Sequence, residues 1–142
     1  WYLLFTFLTL SFFTFYGCMI VSLCAIPELA LLFLATSYGL WFVFAGFFIS
    51  EPLMPRWWFW LHWLDPLSYA LYGLIGSQLS NVYDDFVTLP DGTMQTVSAY
   101  VESSMSLEYS FIGSAAGILA GFIIGFWLIY LFATIRLNFN KR

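Results

Sequence analysis

Three long apolar runs dominate the chain. Residues 1–27 contain no Asp, Glu, Lys, Arg or His, and neither do residues 29–50 or 109–135. A helix needs about 20 mostly apolar residues to cross a bilayer, and each run is long enough. Transmembrane barrel strands would be about 10 residues long and would alternate, which these runs do not. In lipid the backbone must satisfy its own hydrogen bonds, so the runs read as helices. They predict spans over 1–25, 28–50 and 109–135. Between the first two, Pro27 suits the first position of a helix and Glu28 its first turn, where the helix dipole favours negative charge.

The pattern changes between the second and third runs. "PRWWFWLHWLDP", Pro55 to Pro66, sets Trp57, Trp58, Trp60 and Trp63 among an arginine, a histidine and an aspartate. A shorter apolar piece follows, "LSYALYGLIGSQL", Leu67 to Leu79. Residues 80–108 are polar, with a turn signal at "LPDGT".

Composition agrees with the pattern. The 142 residues are 62% hydrophobic and 8% charged, against about 25% charged in a soluble domain. Too little polar surface is available to face water, so the expectation is an all-α, multi-pass membrane protein. The chain starts at Trp1 inside an apolar run, which reads as a piece of a larger polypeptide. Arg136, Lys141 and Arg142 follow the last span, and the positive-inside rule puts that tail, 136–142, in the cytoplasm. The 80–108 loop holds Asp84, Asp85, Asp91, Glu102 and Glu108 without a Lys or Arg, and is expected outside.

With those orientations, residues 51–79 start and finish on the outer side. Pro52, Pro55 and Pro66 break them into short pieces. Tryptophan prefers the membrane–water boundary, where its ring is in apolar surroundings and its N–H reaches water. Arg56, Trp57, Trp58, Trp60, Trp63 and Asp65 are therefore expected to form an interfacial brace. Leu67–Leu79 would dip into the outer leaflet and return. Such a broken segment survives in lipid only where protein or water covers its free backbone groups.

Chemistry-bearing residues are few. His62 and Asp65 are three apart and would share a side of a helix, forming an orienting pair, but no nucleophile accompanies them. They support the alternative of an integral membrane enzyme acting on lipids. Glu51 and Arg56 flank the same bend, as a latch or as ordinary interfacial charges. No G-x-x-x-x-G-K-[ST] loop and no N-x-[ST] site occurs, and no cluster has metal-ligand spacing. Cys18 and Cys24 fall about 120° apart on a helix, cannot pair with each other, and read as buried packing residues. With a net charge of −4 and no basic patch, nucleic acid is not an expected partner. In the last span Gly113, Gly117, Gly121 and Gly125 lie four apart, a stripe that admits a close helix partner. In the second span "YGLWFVFAGFF" clusters aromatics that would suit flat apolar ligands or serve packing.

"FTFYG", "YGLWFVFAGFFI", "MPRWWFWLHWLDPLSYALYGLIGSQ" and the tail "RLNFNKR" together resemble the ABC transporter G subfamily, full-length pleiotropic drug resistance type. The likeness covers nearly the whole chain and corresponds to the end of the second membrane domain. It implies an ATP-driven exporter of hydrophobic small molecules or lipids in the plasma membrane, with multidrug resistance as a familiar outcome. ATP and Mg would bind nucleotide-binding domains upstream, and the other transmembrane half would be a partner. The match "FAGFF" implies a gate at Phe47 and Phe48, just after Gly46, with Phe42 one turn below facing the substrate path.

Overall fold

The structure, a computed structural model, describes residues 1–46, 54–79, 85–89, 92–105 and 109–137. The expected gate residues Phe47 and Phe48, together with Glu51, Pro52, Asp84, Asp91, Glu108, Lys141 and Arg142, lie outside the described residues.

Helix α1 runs Tyr2–Leu23 and α2 runs Pro27–Phe44. The link contains α3, Phe59–Leu64, and α4, Pro66–Leu79. An antiparallel hairpin follows, β1 Phe86–Thr88 and β2 Met94–Thr96, with Val87 opposite Gln95. Next come α5, Val97–Met105, a 3-10 turn, Tyr109–Phe111, and α6, Ile112–Arg136. The architecture is all-α apart from this hairpin.

Three helices, α1, α2 and α6, are long and apolar enough to cross a membrane. At 1.5 Å per residue they measure about 33, 27 and 37 Å, near the ~30 Å hydrocarbon thickness. Their hydroxyls are satisfied locally. Thr6, Thr9, Thr14, Thr36 and Thr134 each donate to the carbonyl four residues earlier. Threonine therefore enters these helices without leaving a polar group bare in lipid.

The core lies where α1, α4 and α6 meet. Phe5, Phe12, Tyr16 and Met19 of α1 pack with Tyr69 and Ala70 of α4 and with Ile112, Ala115 and Leu119 of α6. On α1 the spacing is seven, four and three residues, which keeps one stripe facing its partners. Gly73 of α4 lies directly against the ring of Phe5 on α1.

Helix α2 is joined less deeply. Only Ala30 is buried along it, and Leu29, Leu31, Leu32, Phe33, Leu40, Phe42 and Val43 are exposed. It touches α1 through aromatic rings. Trp41 lies 4.4 Å from Tyr16 and 5.2 Å from Phe12 between centroids, and Tyr38 is 5.4 Å from Phe13.

Several expectations are refined. The second span, expected to reach Ser50, is helical over Pro27–Phe44, and residues 47–50 lie outside the described residues. Gly46 then has φ +96°, a left-handed conformation that ends a helix and that residues with a Cβ rarely adopt. The 80–108 loop contains a hairpin and a helix, whose short strands were below the level that its polar composition reveals. Most of the glycine stripe on α6 has no close neighbour among the described residues. A Cβ at Gly117, Gly121 or Gly125 would meet nothing within 4 Å, and one at Gly113 would just reach Trp1. The core-facing stripe of α6 instead passes through Ile112, Ala115 and Leu119, about 170° round the helix from the middle of the glycine stripe. Cys18 and Cys24 are unbridged, as their spacing predicts, but Cys18 is exposed rather than buried.

Candidate functional site

The residues singled out in the sequence converge on an elbow where the end of α2 meets α3 and α4. A helix leaves its last four carbonyls without partners. At the end of α2 one of these, the carbonyl of Phe44, accepts a hydrogen bond from His62 Nδ1 at 2.8 Å, across eighteen residues of sequence. A carbonyl only accepts, so Nδ1 carries the proton. The Phe44 ring stacks on Trp58 at 5.1 Å and 22°. His62 also covers Gly46, where a Cβ would come 3.7 Å from the imidazole Cε1.

The second junction joins α3 to α4. Asp65 stands before Pro66, and Pro66 opens α4, where a missing N–H costs nothing. Asp65 Oδ1 accepts from the Leu67 N–H at 2.9 Å, the bond of a helix-capping aspartate. Ser68 Oγ donates to the carbonyls of Asp65 at 2.7 Å and His62 at 3.0 Å. Tyr69 Oη donates to the Trp63 carbonyl at 2.9 Å. Two side chains from the first turn of α4 thus satisfy carbonyls at the end of α3. This is the protection that a broken segment in lipid requires.

Asp65 itself is 2% exposed, and its Oδ2 has no hydrogen-bond partner among the described residues. Burial disfavours the charged form and pushes the carboxyl up to about 7, although the Leu67 and Ser68 backbone groups pull the other way. Tyr69 is raised as well, by its own burial and by the neighbouring Asp65.

His62 and Asp65, paired in the sequence reading, are held apart by different partners, the Phe44 carbonyl and the Leu67 N–H. The orienting pair on which a lipid enzyme would depend is not formed. Asp65, counted in the expected brace, is buried and caps α4. Trp57, Trp60 and Trp63 are exposed, as is Arg56, while Trp58 turns inward onto Phe44. Phe42 is 51% exposed. The aromatics of α2 therefore divide, with Tyr38 and Trp41 serving packing and Phe42 left available.

Sequence reasoning missed Phe44, Ser68, Tyr69 and the Phe5–Gly73 contact. "DPLS" does carry a local signal, an aspartate cap followed by proline at the first helical position. The other contacts join residues too far apart for a periodic pattern to reveal.

The sequence profile described as ABC-2 type transporter matches residues 1–79. That is the stretch from the first span to the end of α4, and it includes the whole elbow. The chain belongs to the ABC-2 type transporter family. All 142 residues align with ABC transporter G family member 35 of Arabidopsis thaliana at 34% identity, covering 10% of that protein. ABC transporter G family member 38 of Oryza sativa subsp. japonica is 37% identical over the same 142 residues, 9% of its length. Pleiotropic drug resistance protein 1 of Nicotiana tabacum is 35% identical, again over the whole chain and 10% of its own length. The chain spans about a tenth of these relatives. Their names agree with the resemblance carried by the tryptophan-rich link and its flanking motifs.

Proposed function

We propose that this ABC-2 chain is the last part of the second membrane domain of an ATP-driven exporter of hydrophobic small molecules or lipids. Its full-length similarity to ABC transporter G family proteins carries the reading. Phe42 would line the substrate path, and Phe47 and Phe48, after the turn at Gly46, would form the exit gate. The elbow would sit at the outer interface with its exposed tryptophans in the headgroup region. The tail would be cytoplasmic and the membrane the plasma membrane.

ATP and magnesium would bind nucleotide-binding domains elsewhere in the parent protein, since this sequence carries no G-x-x-x-x-G-K-[ST] loop. Those domains and the other transmembrane half would be the working partners, and nucleotide binding there would alternate access between the two sides. Substrate would be held mainly by apolar burial, worth about 25 cal/mol per Å².

The test is the double variant Phe47→Ala, Phe48→Ala in the reconstituted parent protein. ATP hydrolysis is expected to continue while transport of a lipophilic dye per ATP falls. Unchanged coupling removes the gate from these residues, and a parent protein without ATPase activity removes the exporter reading.

A further inference from the structure

We infer that Asp65 is a proton-operated hinge, whose neutral form lets α3 and α4 close against the core and whose ionised form opens their junction to water. The hinge holds whether or not the parent protein is an exporter.

Asp65 is the one residue between the two helices. Leu64 ends α3, Pro66 opens α4, and Asp65 has φ −84° and ψ 110°, near the extended conformation that proline imposes on the residue before it. The chain therefore has a single pivot at this point. On its α4 side the junction is sealed. Pro66, Ser68, Tyr69 and Ala70 are buried, and the Tyr69 ring packs against Phe122 of α6.

The two oxygens of the carboxyl group at this pivot have unlike settings. Oδ1 accepts from the Leu67 N–H, whereas no donor, charged or neutral, reaches the buried Oδ2 among the described residues. A neutral acid carries its proton on Oδ2 and leaves one hydroxyl unpaired. A carboxylate leaves a charge there, which is far more costly in a buried site. The titratable groups beside it are turned to other partners. His62 on α3 donates from Nδ1 to the Phe44 carbonyl, and Tyr69 on α4 donates to the Trp63 carbonyl. Helices α1, α2, α5 and α6 also pack against α4. Of these, α1 brings tyrosines but no charged residue, Glu28 lies in the first turn of α2, Glu102 of α5 is exposed, and Arg136 lies in the last turn of α6. Arg56, ahead of α3, is exposed.

The sign follows from the same burial, which raises the carboxyl from the ordinary 3.8 to about 7. Once the junction opens, the carboxyl is hydrated and returns toward its ordinary value. The ratio of open to closed junction therefore climbs by up to about tenfold per pH unit from about 3.8 to about 7, and levels off above that.

The experiment uses the full-length parent protein in lipid nanodiscs, with hydrogen–deuterium exchange read by mass spectrometry from pH 5 to 8.5. Exchange reports rare local openings, so the open junction need not be the major form. After correction for intrinsic exchange chemistry, protection of the amides of residues 67–70 should fall by up to about a hundredfold between pH 5 and 7 and then level off. These amides should exchange faster than those around Leu119 of α6, because the hinge opens without the core. Asp65→Asn keeps an oxygen for the Leu67 N–H and cannot ionise, so its protection should not change with pH. His62→Gln should keep the wild-type fall. Constant protection in the wild type overturns the proposal, as does a fall that survives in Asp65→Asn or disappears in His62→Gln. Exchange at 67–70 no faster than around Leu119 overturns it as well, since the junction then opens only with the whole domain. Should Asp65→Asn fail to fold, the wild-type and His62→Gln series decide.

Discussion

Substituting Gly73 by alanine should damage this domain more than any other small change in it. An ideal Cβ at position 73 would overlap three carbons of the Phe5 ring, Cδ1, Cε1 and Cζ. Phe5 has no exposed surface, so its ring cannot move aside without opening another contact in the core. Overpacking a well-filled site costs about 1–3 kcal/mol, and a clash directly beneath a buried ring belongs near the top of that range. Three kcal/mol is about a hundredfold in the ratio of intact to opened domain. Lipid tails are as apolar as leucine, so the loss is one of packing and does not depend on water. The assay is thermal inactivation of the parent protein in detergent, read as the fraction remaining monodisperse on size exclusion. Phe5→Ala alone should also destabilise, by leaving a cavity. In that background, however, Gly73→Ala should cost almost nothing, because the ring it would strike is gone. Gly39→Ala is the control, since a Cβ there meets nothing within 4 Å. A Gly73→Ala protein as heat-resistant as wild type would refute the close contact. Additive losses in the double variant would refute the identity of the partner.

Other outcomes follow from the elbow and the glycine face. Asp65 should make stability depend on pH: its folded pKa, about 7, lies above the ordinary 3.8, so its favourable contribution is complete below about 3.8 and is lost as pH rises through 7. Asp65→Asn should flatten the melting temperature between pH 5 and 8, and an unchanged slope would assign the pH dependence elsewhere. Ser68→Ala and Tyr69→Phe each remove a hydroxyl that caps α3 carbonyls, and each should cost about 1 kcal/mol in the same thermal assay; no loss in either would mean that water or lipid replaces the bond. Gly117→Leu should leave this domain's own packing intact, because the site is open within the chain, yet impair assembly of the parent protein. Normal assembly and trafficking of that variant would leave the glycine stripe without a partner.

The three candidate spans were legible because the signal is long and redundant. Twenty-odd residues without a charge cannot be mistaken for much else, and α1, α2 and α6 fall within the runs that predicted them, to within a few residues. Pro66 and the apolar piece after it gave α4 almost to the residue, since proline at the first helical position is a local rule. The end of α2 was less accessible. Hydrophobicity continues past Phe44 without a break, and only the left-handed Gly46 reveals the stop. His62 was visible as an unusual residue but was matched with Asp65, its neighbour by helical spacing. Its observed partner is a backbone carbonyl on another helix, which no side-chain pattern encodes. Burial of Asp65 was hidden for a related reason, since an aspartate among tryptophans looks interfacial until α4 packs into the core.

The union of α1 with α6 also has a consequence for biosynthesis. Phe12 and Tyr16 rest against Phe126, a residue made about 110 positions later. At ribosomal speeds of roughly 5–20 residues per second, the first helix waits on the order of ten seconds for its principal neighbour. During that interval its aromatic stripe must be sheltered by lipid, by the insertion machinery or by an earlier part of the nascent protein. A ribosome that stalls anywhere before the last helix therefore leaves an inserted but coreless intermediate, and membrane quality control has that long to distinguish a slow chain from a failed one.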